Sequence, residues 1–523
     1  MSLTTPGGDG ERSTRYRNYV LFVLMLVYVF NFLDRQVLSI LAEDIKHDLG
    51  IGDGAMGFLL GTSFAVFYAV FGIPLGRAAD LINRTRLVSA GLTLWSLMTT
   101  LSGFASSFIS LASCRMLVGV GEASASPAVY SLLYDYFPKR LRTTALAIYS
   151  SGIFVGAGLG LIVGGVVLDN WKQAFPLPEM APFGLRAWQA AFILVGLPGL
   201  ALAAWVFSLR EPRRGAADGV TVEPHPRPFH AIGAELAALL PLSGLILVWR
   251  AGGRRAAITN VAAALCIGLG AMLIIALLGG ASQWGTLGYG IYVFTTWCQN
   301  LKHRDPEAFH AIFSCRPLVL GSLGFSGCFF LTAGALAWLA VFFQRIHGAS
   351  TSEVGLVLGL SYATMGFLGV TIGGAITDHM VERHGERSRL VVAAVAVSVA
   401  TAAMVAIVLL PGKNAAYLMT IPFNFFSAMY VAPGAANVNS LAPPRNRATA
   451  SAAYIVCQVF LGTALGPYVI GAISEAMTNG GASPASALRL AMLVSLLATV
   501  PAVALLVAAY RSFWPNTERP RAI

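Results

Sequence analysis

The chain has 523 residues, of which 11% are charged and 56% hydrophobic, with a mean hydropathy of +0.70; soluble domains carry roughly 25% charged residues. That balance leaves too little polar surface for a soluble fold and points to membrane-spanning helices, because lipid offers the backbone no hydrogen-bond partners. The net charge of +11 does not indicate nucleic acid, since the basic residues fall in short clusters between apolar runs, where they set membrane topology.

In chain order, apolar runs begin near Tyr19, Ala55, Leu87, Ile109, Thr143 and Trp188, and six more near Leu318, Glu353, Leu390, Ala415, Thr449 and Ala485. Each lasts about 20 to 26 residues, enough to cross a bilayer. The residues before Tyr19 are polar and the first run is long enough to span, so it reads as a span and not as a cleaved leader. Arg12, Arg15 and Arg17 precede the first run, and Arg77, Arg84 and Arg86 flank the turn after the second. Lys139, Arg140 and Arg142 follow the fourth; Arg383, Arg387 and Arg389 precede the ninth; Arg445 and Arg447 follow the tenth; Arg511, Arg519 and Arg521 follow the last. This bias places both termini in the cytoplasm, and the Ala- and Arg-rich composition suggests a bacterial inner membrane.

The two sets of six runs repeat one another in parallel. Gly76 to Asp80 ends the second run and Gly374 to Asp378 its counterpart, each followed by basic residues; Pro138 is followed 18 and 22 residues later by Gly156 and Gly160, and Pro444 at the same spacings by Gly462 and Gly466. A duplicated six-plus-six arrangement is the signature of a secondary transporter. The expected organisation is a cytoplasmic tail over 1–18, a six-helix bundle over 19–210, an insert over 211–316, a second six-helix bundle over 317–510 and a cytoplasmic tail over 511–523. Within the insert, Ala231 to Trp249 carries Glu235 and a central Pro241 between basic clusters and reads as an interfacial or re-entrant piece. Two further apolar pieces, Ala257 to Leu278 and Trp284 to Cys298, read as a hairpin of two extra spans with Gly280 to Gln283 outside the cytoplasm.

No phosphate-cradling G-x-x-x-x-G-K-[ST] motif is present, so energy must come from an ion gradient and no cofactor is expected. The six cysteines, with no C-x-x-C pair, read as buried thiols, and the histidines, at loops and span ends, build no metal site. Ionisable residues deep in spans are rare and mark function. Here they are Asp34 and Arg35 in the first run and Arg115 and Glu122 in the fourth, at overlapping depths, with Arg115 and Glu122 on one face by their spacing of seven. Asp34 or Glu122 is expected to take up and release a proton as water and arginine approach or withdraw, and the plainer alternative is a charge network that only staples the two helices. The second half offers neutral polar groups instead, among them Tyr362, Asn437, Tyr454 and Gln458 as substrate-binding candidates. A charged half beside a neutral, aromatic half suits an amphipathic organic anion. Small organic acids or drugs are the alternative cargo; a membrane enzyme or a channel is the alternative class, and neither a nucleophile or metal cluster nor a repeated pore motif supports it. At the cytoplasmic ends, Asp80 with Arg84, Arg140 and Arg142, and Asp378 in the second half, are expected to latch the halves together when that face is closed.

The segment Gly76-Arg77-Ala78-Ala79-Asp80-Leu81-Ile82-Asn83-Arg84-Thr85-Arg86 resembles the major facilitator superfamily's signature between spans 2 and 3, with Asn83 where glycine is usual and a left-handed turn expected. Arg115-x-x-x-Gly119-x-Gly121-Glu122-Ala123 and the glycine-rich Gly152 to Gly165 resemble its span 4 and span 5 signatures, the latter without its usual Gly-Pro. Asn31-Phe32-Leu33-Asp34-Arg35 together with Gly121-Glu122-Ala123 is similar to the Spinster-like branch. The resemblance implies an all-α membrane protein with two six-helix bundles and about two extra transmembrane helices between them. It also implies a proton-linked carrier, a monomer working by alternating access, with Asp34 and Glu122 as coupling carboxylates, Arg35 as their partner, and a lysolipid or sphingolipid cargo.

Overall fold

Fourteen long helices run through the described residues, 7–214 and 226–513 of the computed structural model, and every regular element among them is helical. Arg519 and Arg521, and the side chains of Arg12 and Lys139, lie outside the described residues. The first six helices are α1 (Gly7–Ile40), α2 (Asp53–Leu81), α3 (Arg84–Ser102), α4 (Phe108–Tyr136), α5 (Arg142–Ala174) and α6 (Ala187–Phe207). An insert contributes α7 (Pro241–Leu278) and α8 (Ala281–Arg304). The last six are α9 (Arg316–His347), α10 (Thr351–His384), α11 (Ser388–Leu409), α12 (Lys413–Leu441), α13 (Arg447–Asn479) and α14 (Pro484–Arg511).

Among the described residues, twelve helices are long and apolar enough to cross a membrane; α3 and α8 are more polar. In α3 the hydroxyls are made compatible with an apolar setting by donating back along the helix, Thr93 to the Ser89 carbonyl, Thr100 to Ser96 and Ser102 to Met98, at 2.8 to 2.9 Å. Asn83 does not take the left-handed turn expected of it. Its backbone is extended (φ −63°, ψ 118°) and its side-chain oxygen accepts from the Arg86 N–H at 2.8 Å, so asparagine caps α3 where glycine could not.

The sequence repeat becomes a structural one. Short 3-10 turns at Lys139–Leu141 and Pro444–Asn446 lead into α5 and α13. Gly160 of α5 lets the backbone of α1 approach, since a Cβ there would lie 2.7 Å from the Leu33 carbonyl oxygen; Gly466 of α13 does the same against Phe330 of α9, at 2.6 Å. Corresponding glycines thus dock the fifth helix of each half on the first.

The halves close on each other at one end only. There the first turns of α2 pack against α13, and α5 packs against α10. Ser352 donates its backbone N–H to Asp169 at 2.7 Å and Thr62 its hydroxyl to the Ala464 carbonyl at 2.8 Å. Arg345 donates to both Asp53 oxygens at 2.8 and 2.9 Å and to Glu43 at 2.5 Å, while Lys46 and Ser474 complete the shell around Asp53. These bonds between the halves all lie at the end away from where α2 turns into α3 and α4 into α5.

The insert differs in detail from its sequence reading. Pro241 is not central to one interfacial piece. A helix spans Pro228–Ala237, and Pro241 starts α7, where its missing N–H leaves no helical bond unmade. Residues 241–252 then join the next piece through a bend at Gly253, whose φ of 70° favours glycine. The most apolar stretch of α7 has none of its residues buried by protein, as a lipid-facing helix would. α8 lies along the seam of the two halves: Gly290 sits against Val66 of α2 and Phe460 of α13, and Trp284 meets Tyr468 edge-on at 5.7 Å. The cysteines form no disulfide among the described residues, but only Cys328 is fully buried and Cys266 is exposed, because α7 has lipid and not protein on that face.

Candidate functional site

Half-way along the first bundle, α1 and α4 bring four charged side chains together, with α3 packed beside them. Asp34, Arg115 and Glu122 are at most 2% exposed. α4 pauses between Glu122 and Ala125, and its upstream segment presents Arg115 and Glu122 on the face toward α1. Close approach is possible because Gly119 abuts the Phe64 carbonyl of α2 and Gly121 the Gly91 carbonyl of α3.

The charges are not paired symmetrically. Arg35 donates from Nε to Glu122 Oε2 at 2.7 Å, and its guanidinium lies over the rings of Phe32, Phe64 and Tyr68 at 4.8, 4.4 and 4.9 Å. Such a cage holds a cation while leaving its edge free to meet an anion, and Arg35 keeps 23% of its side chain accessible. Among the described residues no arginine is in ion-pair contact with Asp34. One oxygen accepts from the Thr99 hydroxyl at 3.0 Å, the other has no partner, and Arg115 reaches only the Asp34 backbone carbonyl at 3.5 Å. Glu122 Oε1 and Arg115 Nε are likewise without partners. A pure staple would satisfy its buried polar atoms, since each one left unmade costs about 1 to 3 kcal/mol; this cluster leaves several open.

Of the second-half candidates, Tyr362 shares a cavity with the first half. It lines a narrow cavity between the halves with Gln36, the neighbour of Arg35, and with Leu161, Leu336 and Asn424. Tyr362 and Gln458 each begin a π-helical turn, Tyr362–Gly366 in α10 and Gln458–Ala464 in α13, a distortion frequent at functional positions. Gln458 donates to the Tyr454 hydroxyl at 2.8 Å, forming a separate polar pair. Asn437 is fully buried against Gly321 and Leu390, away from the seam, with its amide unpartnered. Thr99, Phe64 and Tyr68 escaped the sequence reading because a threonine or aromatic in an apolar run carries no local sign of what faces it.

The Major Facilitator Superfamily model matches residues 24–467. The chain belongs to this superfamily. An MFS-type efflux pump of Mycolicibacterium smegmatis is 25% identical over 481 residues, covering 92% of this chain and 90% of that protein. Protein spinster of Drosophila melanogaster is 25% identical over 471 residues, covering 88% of this chain and 62% of that longer protein. A crystal structure of a bacterial homolog to the human lysosomal transporter Spinster, in an inward-facing and unoccupied conformation, superposes with a TM-score of 0.70 at 24% identity, over 96% of this chain and 99% of that one.

In this superfamily member the residues expected to latch the other end are differently employed. Arg84 does not pair with Asp80. It is 1% exposed and donates to Asp135 at 2.5 Å and Glu211 at 2.7 Å, with Ser131 also accepting, so it ties the start of α3 to the end of α4 and to the segment after α6. Arg142 donates to the Tyr134 and Phe137 carbonyls within its own half. Asp80, Arg140 and Asp378 are exposed.

Proposed function

We propose that this superfamily member is a proton-coupled secondary transporter that moves an amphipathic organic anion, of the lysolipid or sphingolipid class, by alternating access. The observation that carries the reading is Asp34: a carboxylate buried in a span, with one oxygen unpartnered and no arginine in ion-pair contact, beside an Arg35 that already holds Glu122. Such a carboxyl can be neutral in one state and charged in the next, and a group whose charge differs between states biases one over the other. Arg35, caged by three rings yet partly accessible, is the partner for the anionic head of the cargo, and the aromatic seam around Phe154 and Tyr362 suits its apolar body. The basic clusters favour the cytoplasm as the side of the open end.

The test is flux in proteoliposomes under an imposed pH gradient, with a fluorescent lysophospholipid and, separately, a fluorescent organic acid. Asp34→Asn is nearly isosteric and cannot titrate, so gradient-driven flux should be lost while facilitated exchange persists. Undiminished gradient-driven flux through Asp34→Asn would sink the coupling role, and flux of the organic acid alone would replace the lipid with the efflux-type cargo.

A further inference from the structure

Far from the charged cluster, at the closed end, a second polar cavity of about 340 Å³ lies where the tip of the α7–α8 hairpin meets α2, α4 and α13. Its walls include Gly54 and Phe58 of α2, Phe108 of α4, Gln283 of α8, and Tyr468 and Glu475 of α13. Gln283 is 1% exposed, yet neither its oxygen nor its nitrogen has a partner. A buried amide unsatisfied at both ends is rare in a native structure and calls for an explanation such as a missing ligand. Glu475, on the facing wall, accepts the Gly54 N–H at 2.6 Å, and among the described residues no cationic side chain pairs with it. The aromatic side of the cavity is fixed by Phe58 against Phe108 at 5.7 Å and by Trp284 edge-on to Tyr468. Gly280, at a φ of +73°, lets the hairpin backbone come up to the Tyr468 hydroxyl.

We propose that this cavity binds a primary ammonium group with an oxygen two carbons away, either a free amino alcohol or the headgroup of an aminophospholipid. The ammonium would donate to the Glu475 carboxylate and to Gln283 Oε1, and the neighbouring oxygen would accept from Gln283 Nε2, which satisfies every group now left open. The volume is at the small end of ligand pockets and admits a molecule of that size. One wall belongs to the first half, another to the second, and the hairpin completes the site. Occupancy therefore favours the state closed at this end, because opening pulls Gly54 and Phe58 away from Tyr468 and Glu475. This gives the insert a role independent of what the central site carries.

Thermal unfolding of the purified full-length protein in micelles, titrated with ethanolamine, tests the proposal, with ethylene glycol and glycolate as controls. Ethanolamine should raise the melting temperature saturably by mass action and the two controls should not. Gln283→Leu and Glu475→Gln should each weaken the effect roughly 10- to 100-fold, as loss of a hydrogen bond to a charged group does. Glu475→Gln keeps an acceptor for Gly54, and Gln283→Leu removes an unsatisfied amide, so neither should lower the melting temperature without ligand. In nanodiscs, stabilisation by phosphatidylethanolamine over phosphatidylcholine, lost in both variants, identifies a lipid headgroup as the source; an effect of free ethanolamine alone identifies a soluble amine. The proposal is overturned if neither probe stabilises the wild type, or if both variants respond as the wild type does.

Discussion

Replacing Arg345 with methionine should open the closed end. Arg345 is 8% exposed and makes two bonds to Asp53, itself 5% exposed, plus one to Glu43, which is about one-third exposed. Removing one partner of a buried pair costs about 3 to 5 kcal/mol. Two features reduce that here: Lys46 and Ser474 stay on Asp53, and the more exposed Glu43 contact is worth at most ~1 kcal/mol. A net loss of about 2 to 3 kcal/mol falls on the closed arrangement, because in the open one water reaches Asp53. At 1.4 kcal/mol per tenfold, the population shifts roughly 30- to 150-fold toward opening. Spin labels at His47 and Gly412, exposed positions in opposite halves at this end, would report it in a cysteine-free background. The distance distribution should lengthen in Arg345→Met and return partly toward wild type in Arg345→Lys. An unchanged distribution, or a lower melting temperature with no change in distance, would refute the gating argument.

Arg84→Ala should lower stability by about 2 to 3 kcal/mol, because the buried guanidinium's bonds to Asp135, Glu211 and Ser131 are lost together, read as a drop in melting temperature with the spin-label distances at His47 and Gly412 unchanged. Gly158→Val should push α5 from α10, since a Cβ there would lie 2.5 Å from the Gly359 carbonyl oxygen; disulfide trapping of cysteines placed across this seam should slow, and unchanged trapping would refute the packing role. Phe64→Leu removes the nearest ring under Arg35 and should weaken transport of the anion by about 0.5 to 2 kcal/mol, with the ethanolamine response at the hairpin cavity intact. Asp80→Asn should shift the population toward the state open at the α2–α3 turn, more than Asp378→Asn does, but by no more than about 1 kcal/mol since both carboxylates are exposed here; equal distances between labels at that end in both variants and wild type would rule out a latch at Asp80.

Some of this protein was legible in the chain alone. Apolar runs of spanning length fix the helices, because only helices and closed barrels satisfy the backbone in lipid and runs this long do not suit the short alternating strands of a barrel, and the matched Pro138/Gly160 and Pro444/Gly466 spacings fix the two-fold repeat, because the same glycines must admit α1 and α9. Asp34, Arg35, Arg115 and Glu122 stood out because a charge in a span is costly wherever it lies. Only the tertiary structure decided which charge pairs with which. Arg35 takes Glu122 and leaves Asp34 with Thr99, a choice made by side chains on three helices that no spacing relates. The same holds for Arg84, whose partners Asp135 and Glu211 lie 51 and 127 residues away, and for Asn83, whose cap depends on where α3 starts. Arg345 reads in sequence as one more basic residue at a span end, and Gln283 as one polar residue in a turn. Their meaning comes from the opposite half of the molecule, which burial brings to them and sequence order does not.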